Sequence, residues 1–132
     1  QFYLGIDNTE INYKNNHWKA FRDFLKNSHH FNHAFRTNLL CETFYKQFRC
    51  GLLHQSQTKQ KSLIKICQPS ILSLVDPTDV KVGIVLDRNQ FHQSLIFEFT
   101  DYIQNLNDNK NNFLGENLRM KAINKMRLIC AE

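Results

Sequence analysis

Apolar residues recur every three or four positions in four stretches of the chain, the spacing that one buried face of a helix requires. These stretches run from Asn15 to about Asn27, from about His33 to Gln55, from about Gln90 to Leu106 and from about Glu116 to Cys130. Each is long enough for several helical turns. The pattern therefore predicts four helices.

Between the second and third stretches the period changes. The segments "KSLIKIC" (61–67), "SILSLVD" (70–76) and "VKVGIVLD" (80–87) are short, rich in β-branched residues and partly alternating. Pro69 interrupts them, and the "DPTD" tetrapeptide (76–79) has residues that favour a β-turn. This pattern predicts a small β-hairpin, with room for a third strand.

Together these elements predict a mainly α fold, a four-helix up-down bundle with a small β-hairpin inserted between helices two and three. No repeat or change of composition divides the chain, so residues 1–132 are expected to form a single domain. The third helix, capped by Asp87 or Asn89, should turn its apolar face toward the core. That face comprises Phe91, Leu95, Ile96, Phe99, Tyr102, Ile103 and Leu106.

The second predicted helix has two apolar sides. Its broad core face comprises Leu40, Cys41, Phe44, Tyr45, Phe48, Gly51 and Leu52. A second stripe, roughly opposite, comprises Phe35, Leu39, Cys50 and Leu53. Because one stripe suffices for packing in a monomeric bundle, the second predicts a further partner, which is either another element of the chain or a second copy.

Arg49 and His54 flank Leu53 at about 140° from each other on an ideal helix. If Leu53 meets a symmetry mate, two copies of both residues converge near the twofold axis. Histidine can transfer a proton at neutral pH, and arginine can stabilise the charge of a phosphate. The alternative is that His54 marks a helix end and that Arg49 pairs with Glu42 or another carboxylate.

Composition narrows the class of protein. The chain carries a net charge of +5 with a pI of about 9.1, which favours polyanionic partners, chiefly nucleic acid. No phosphate-binding loop, dinucleotide fingerprint or zinc-protease motif is present, and neither a membrane span nor a signal peptide is expected. The four cysteines are widely scattered, which indicates reduced thiols in a cytoplasmic protein.

The motif "FRCGLLH", on the second long helix of a small helical bundle, resembles the Arg-x4–6-His motif of the HEPN superfamily (higher eukaryotes and prokaryotes nucleotide-binding). "FYKQFRCGLLHQSQTK", "RNQFHQSLIFEFTDYIQNL" and "LRMKAINKMRLIC" resemble a bacterial HEPN-like family of mobile-element and defence-associated proteins. The resemblance covers about residues 33–130.

This resemblance implies a homodimer that binds or cleaves RNA without metal, as in a ribonuclease of toxin–antitoxin type. Arg49 would stabilise the phosphate and His54 would transfer the proton, while Phe35, Leu39, Cys50 and Leu53 would form the dimer interface. Active members often carry a polar residue directly after the arginine, where this chain has Cys50. A non-catalytic interaction module that binds a partner protein, in the manner of an antitoxin, is the open alternative.

The segment "SHHFNH" offers His29, His30 and His33 at spacings that suit metal ligands. No cysteine or carboxylate pattern lies nearby to complete a tetrahedral site. The sequence therefore predicts neither a metal site nor a cofactor. Arg88 and Lys81 near the hairpin could extend a basic rim, and His92 is expected on the surface of its helix.

Overall fold

The computed structural model describes residues 17–107 and 113–131, and this part of the chain is mostly helical with one three-stranded sheet. The helices are α1 (His17–Asn27), α2 (Asn38–Phe44), a π-helical turn (Tyr45–Arg49), α3 (Cys50–Gln55), α4 (Arg88–Asn107) and α5 (Phe113–Ala131). The strands are β1 (Leu63–Lys65), β2 (Leu72–Leu74) and β3 (Ile84–Asp87). Because α2, the π-helical turn and α3 follow one another without a break, the described part has the four helices and the small sheet that the pattern predicts.

The second helix begins five residues later than predicted. Residues 29–34 form turns, and the Thr37 side chain accepts a hydrogen bond from the backbone N–H of Leu40 at 3.1 Å. This N-cap supplies a partner for one of the N–H groups that a helix start leaves free. The first predicted helix is found at His17–Asn27, and Asn15 lies outside the described residues.

The sheet is only partly a hairpin. β2 and β3 are antiparallel, with Ser73 opposite Val85, and the turn between them is closed by the Asp79 N–H donating to the Asp76 carbonyl at 3.3 Å. β1, however, pairs in parallel with β3 on its other edge, giving the order β1-β3-β2. The third strand is therefore confirmed, and its parallel pairing is a feature that the alternating pattern did not predict.

The core lies between α1, the turns at 29–34, the second helix and the sheet. It is built mainly of phenylalanines, and the rings of Phe35 and Phe44 meet edge to face at 5.1 Å. Its buried apolar residues are Leu25, Phe31, Phe35, Cys41, Phe44, Phe48, Ile71, Ile84 and Leu86. The predicted second stripe included Phe35, but this residue precedes α2 and is 0% exposed, so other elements of the same chain cover it.

Helix α4 turns mainly its polar side inward. Asp87 caps it as predicted, because its carboxylate accepts the Gln90 N–H at 2.8 Å. Ser94 and Glu98 are buried, and Glu98 accepts the backbone N–H of His30. Phe91 packs against the core, whereas four other members of the predicted stripe are exposed: Leu95, Ile96, Phe99 and Ile103. The expectation that this stripe faces the core of the chain was therefore wrong for most of its length.

Candidate nucleic-acid interface

A π-helical turn interrupts the helix that carries the Arg-x4-His motif. The backbone N–H of Cys50 donates to the carbonyl of Tyr45, five residues earlier, instead of the four that an α-helix uses. Gln47, in the middle of this turn, is buried and its side-chain amide donates to the Lys81 carbonyl at 3.0 Å. The backbone carbonyl of Gln47 accepts the N–H of Lys59 at 2.9 Å. Residues that follow the helix therefore hold the turn in place.

The π-helical turn changes which residues share a side of the helix. A π turn acts as a one-residue insertion, which rotates the following residues by about 100° relative to a continuous α-helix. Leu39 precedes the turn and Leu53 follows it, so they do not form the stripe that an ideal helix predicts. Leu53 is 65% exposed, Leu39 is 38% exposed and Cys50 is half-buried.

Arg49 is the last residue of the π-helical turn and is half-buried. Its guanidinium carbon lies 5.3 Å from the centre of the Tyr45 ring, within the range of a cation–π contact. Tyr45 is itself held by edge-to-face contacts with Trp18 and Phe21 of α1. The position of Arg49 is therefore restricted by an aromatic cluster rather than left to solvent.

Arg49 opens onto a groove of about 480 Å³ that α1, the second helix, β1 and α4 enclose together. Arg88 and His92 of α4 also line this groove. The remainder of the lining is apolar, with Leu52 and Ile64 among the residues that are substantially exposed. The exposed surface of this groove is almost entirely apolar, so Arg49, Arg88 and His92 contribute to it mainly through carbon atoms. Such a surface suits flat apolar groups such as the faces of bases.

The structure describes the backbone of His54, the predicted partner of Arg49, but not its side chain. His54 lies in α3, one turn beyond Arg49. The geometry of an Arg49–His54 pair therefore stays a prediction. Among the described side chains, the histidine that shares a groove with Arg49 is His92.

Leu39 lines a different groove, of about 440 Å³. Its basic residues are Lys46, Lys59 and Lys81, and Lys46 forms an ion pair with Glu42 at 2.5 Å. Lys81 therefore belongs to this second basic groove, while Arg88 belongs to that of Arg49. The sequence suggested that Lys81 and Arg88 could extend one basic rim, but in the structure they line two different grooves.

The grouping of Arg88 and His92 with Arg49 was not predicted. A local signal existed, because residues four apart at the start of a helix lie on the same face. What the sequence did not reveal is that this face of α4 approaches the end of the π-helical turn. That approach depends on how β3 and α4 pack after the chain has left the second helix.

No family model, curated protein or solved structure matches this chain. Among the described residues, no helix is both long enough and apolar enough to cross a membrane.

Proposed function

We propose that this chain is a HEPN-like RNA-binding domain that acts as a homodimer in the cytoplasm and cleaves RNA without a metal ion. In this proposal Arg49 binds and stabilises the phosphate, and His54 transfers the proton during attack by the ribose 2′-hydroxyl. A four-helix up-down arrangement, as in other HEPN domains, is part of the same proposal.

One observation carries the proposal: Arg49 ends a π-helical turn, contacts Tyr45 and lines a groove together with Arg88 and His92. π-helical turns often occur at functional sites, because the extra residue re-aims a side chain at the expense of regular hydrogen bonding. A guanidinium held against an aromatic ring loses less conformational freedom when it binds a phosphate. The overall charge of +5 supports a polyanionic ligand.

The dimer is supported by apolar residues that the described part of the chain leaves exposed in this groove and beside it. Leu52 is 44% exposed, Leu53 is 65% exposed and Ile64 is 44% exposed. Exposed apolar residues grouped at one place are typical of protein interfaces. A second copy packed on Leu53 would bring two Arg49 side chains toward one axis.

The test is binding and cleavage of a fluorescently labelled single-stranded RNA in the presence of a chelator. The wild-type chain should bind the RNA with an affinity that falls steeply as salt is raised. Arg49→Ala should weaken binding about tenfold, because one charge-assisted contact is lost. His54→Ala should keep the binding and lose about a hundredfold in cleavage rate.

Two control variants make the result specific. Arg36→Ala removes an exposed arginine outside the groove, and Lys59→Ala alters the second basic groove. Both should bind RNA within about twofold of wild type if the Arg49 groove is the site. Equal binding by wild type and Arg49→Ala would reject the RNA proposal, and unchanged cleavage by His54→Ala would reject the catalytic role.

A second candidate function is a non-catalytic module that binds a partner protein, as an antitoxin does. The observation that favours it is the exposed apolar side of α4, where Phe99 is 65% exposed and Phe97 is 47% exposed. A stable complex with another protein, formed by a chain that neither binds nor cleaves RNA, would support this function. Phe99→Asp should then abolish the complex.

A further inference from the structure

Two histidines and a carboxylate come together where the turns after α1 meet helix α4. His29, His30 and Asp101 each offer one potential ligand atom, and these atoms all lie within 4.8 Å of one another. His30 Nε2 and Asp101 Oδ2 lie 3.0 Å apart. Asp101 follows His30 by 71 positions in the chain, so only the folded structure assembles this cluster.

The cluster is held in place by a second contact between the same two elements. Glu98, one helical turn before Asp101, is 2% exposed and accepts the backbone N–H of His30 at 2.5 Å. His30 therefore contacts two carboxylates on the same face of α4: its backbone N–H contacts Glu98 and its ring contacts Asp101. The ring of Phe97, 5.3 Å from that of His30, borders the cluster on its apolar side.

The geometry points to a binding site for a divalent transition-metal ion, with Zn²⁺ as the best match, formed by His29, His30 and Asp101. Imidazole nitrogens and a carboxylate oxygen are ligands that zinc prefers. In a tetrahedral zinc site two neighbouring ligand atoms lie about 3.3 Å apart. The His30–Asp101 pair already has nearly this spacing, and the ligand atom of the exposed His29 lies within 4.8 Å of both.

Such an ion would take the place of the direct contact between His30 and Asp101. Three protein ligands leave the fourth tetrahedral position open to water or to a ligand from a partner. Because the ligands come from two elements far apart in sequence, the bound ion would also fasten the turns after α1 to α4. This site is separate from the Arg49 groove, whose proposed chemistry uses no metal.

The test is titration of the purified chain, without an affinity tag of histidines, with Zn²⁺ alone. Affinity is measured by competition with a chromogenic chelator, and the thermal unfolding midpoint is followed in parallel. All variants are made in a Cys67→Ser/Cys130→Ser background, since both of these exposed thiols could bind zinc. The background chain should bind one equivalent of zinc, and its midpoint should rise with zinc concentration.

His29→Ala and Asp101→Ala should each weaken zinc binding at least about tenfold and remove most of the thermal shift. His33→Ala is the matched control, because it is an exposed histidine of the same turns that lies outside the cluster. It should bind zinc as the background chain does. His29 is exposed, so its replacement should leave the fold intact, which circular dichroism without zinc can verify.

Three outcomes would overturn the proposal. The first is a background chain that binds no zinc at micromolar concentration. The second is an affinity that is unchanged in Asp101→Ala, which would mean that histidines alone bind the ion. The third is an equal loss in His33→Ala and His29→Ala, which would indicate a different set of ligands.

Discussion

The buried hydroxyl of Ser62 donates a hydrogen bond to the side-chain oxygen of Gln47, in the middle of the π-helical turn. The same hydroxyl accepts the backbone N–H of Ile84 at 2.9 Å. One small polar side chain therefore connects the helix that carries Arg49 with the central strand of the sheet. Because both partners are buried, neither can exchange this contact for water.

Ser62→Ala should therefore destabilise the protein by about 1–3 kcal/mol, since it leaves two buried polar groups without their partner. Urea unfolding followed by circular dichroism measures this change. Ser70→Ala is the matched control, because Ser70 is exposed and its hydroxyl donates to the Leu72 carbonyl. Its effect should stay below about 0.5 kcal/mol. Equal stabilities of the two variants would contradict the role of the Gln47–Ser62 contact.

Gly51→Ala should destabilise the protein, although alanine is the better helix former. A Cβ atom at Gly51 would lie 2.5 Å from the backbone carbonyl oxygen of Gln57, and backbone cannot yield as a flexible side chain can. The expected loss is about 1–3 kcal/mol in the free energy of unfolding. Asn105→Ala, at an exposed position of α4, is the control. There only the helix propensity of alanine should act, which should raise the free energy of unfolding slightly. A gain in both variants would show that the loop after α3 does not approach Gly51 closely.

The stability of the protein should fall in acid partly through Asp87. The backbone N–H groups of Gln68 and Gln90 donate to this carboxylate and hold its pKa below the ordinary value of aspartate. A pKa that is lower in the folded state stabilises the protein above the unfolded-state pKa, and this contribution is lost as pH falls through the folded-state pKa. Asp87→Asn should be less stable than wild type at neutral pH, with a smaller loss between neutral and acidic pH. If the unfolding free energies of Asp87→Asn and wild type fell by the same amount across that pH range, this assignment would be contradicted.

Leu53→Asp should convert the proposed dimer to monomers, because a charge would be buried at the centre of the interface. Light scattering coupled to size exclusion measures the mass. Phe99→Asp, on the exposed side of α4, is the comparison and should remain dimeric if α3 forms the interface. The reverse result would assign the interface to α4. A wild-type chain that is monomeric at micromolar concentration would remove the dimer from the proposal.

The four cysteines should differ widely in reactivity. Cys41 is 0% exposed, and burial raises the pKa of its thiol, which lowers the fraction of reactive thiolate. Cys67 and Cys130 are exposed. A thiol-specific reagent should modify these two quickly and Cys41 only after unfolding, as peptide mass analysis can show. Rapid labelling of Cys41 in the native protein would contradict its place in the core.

Local sequence determined most of the secondary structure. Apolar spacing of three and four is a property of neighbouring residues, so it predicted α1, the second helix, α4 and α5 within the described ranges. The cap at Asp87 and the turn at Asp76–Asp79 also followed from local chemistry, because their hydrogen bonds join residues only three apart. The RNA hypothesis came from the resemblance of the Arg49–His54 motif to the HEPN superfamily, with the basic charge in support, and it stays a prediction.

Tertiary structure decided what these elements face. An apolar stripe indicates that a helix face should be covered but not by which partner, so the stripe of α4 was assigned to the core although most of it is exposed. The π-helical turn depends on buried contacts of Gln47 with Ser62, Lys59 and Lys81, which no helical period encodes. For the same reason, the grouping of Arg88 with Arg49, and of Asp101 with His30, emerges only in the folded chain, where residues distant in sequence become neighbours.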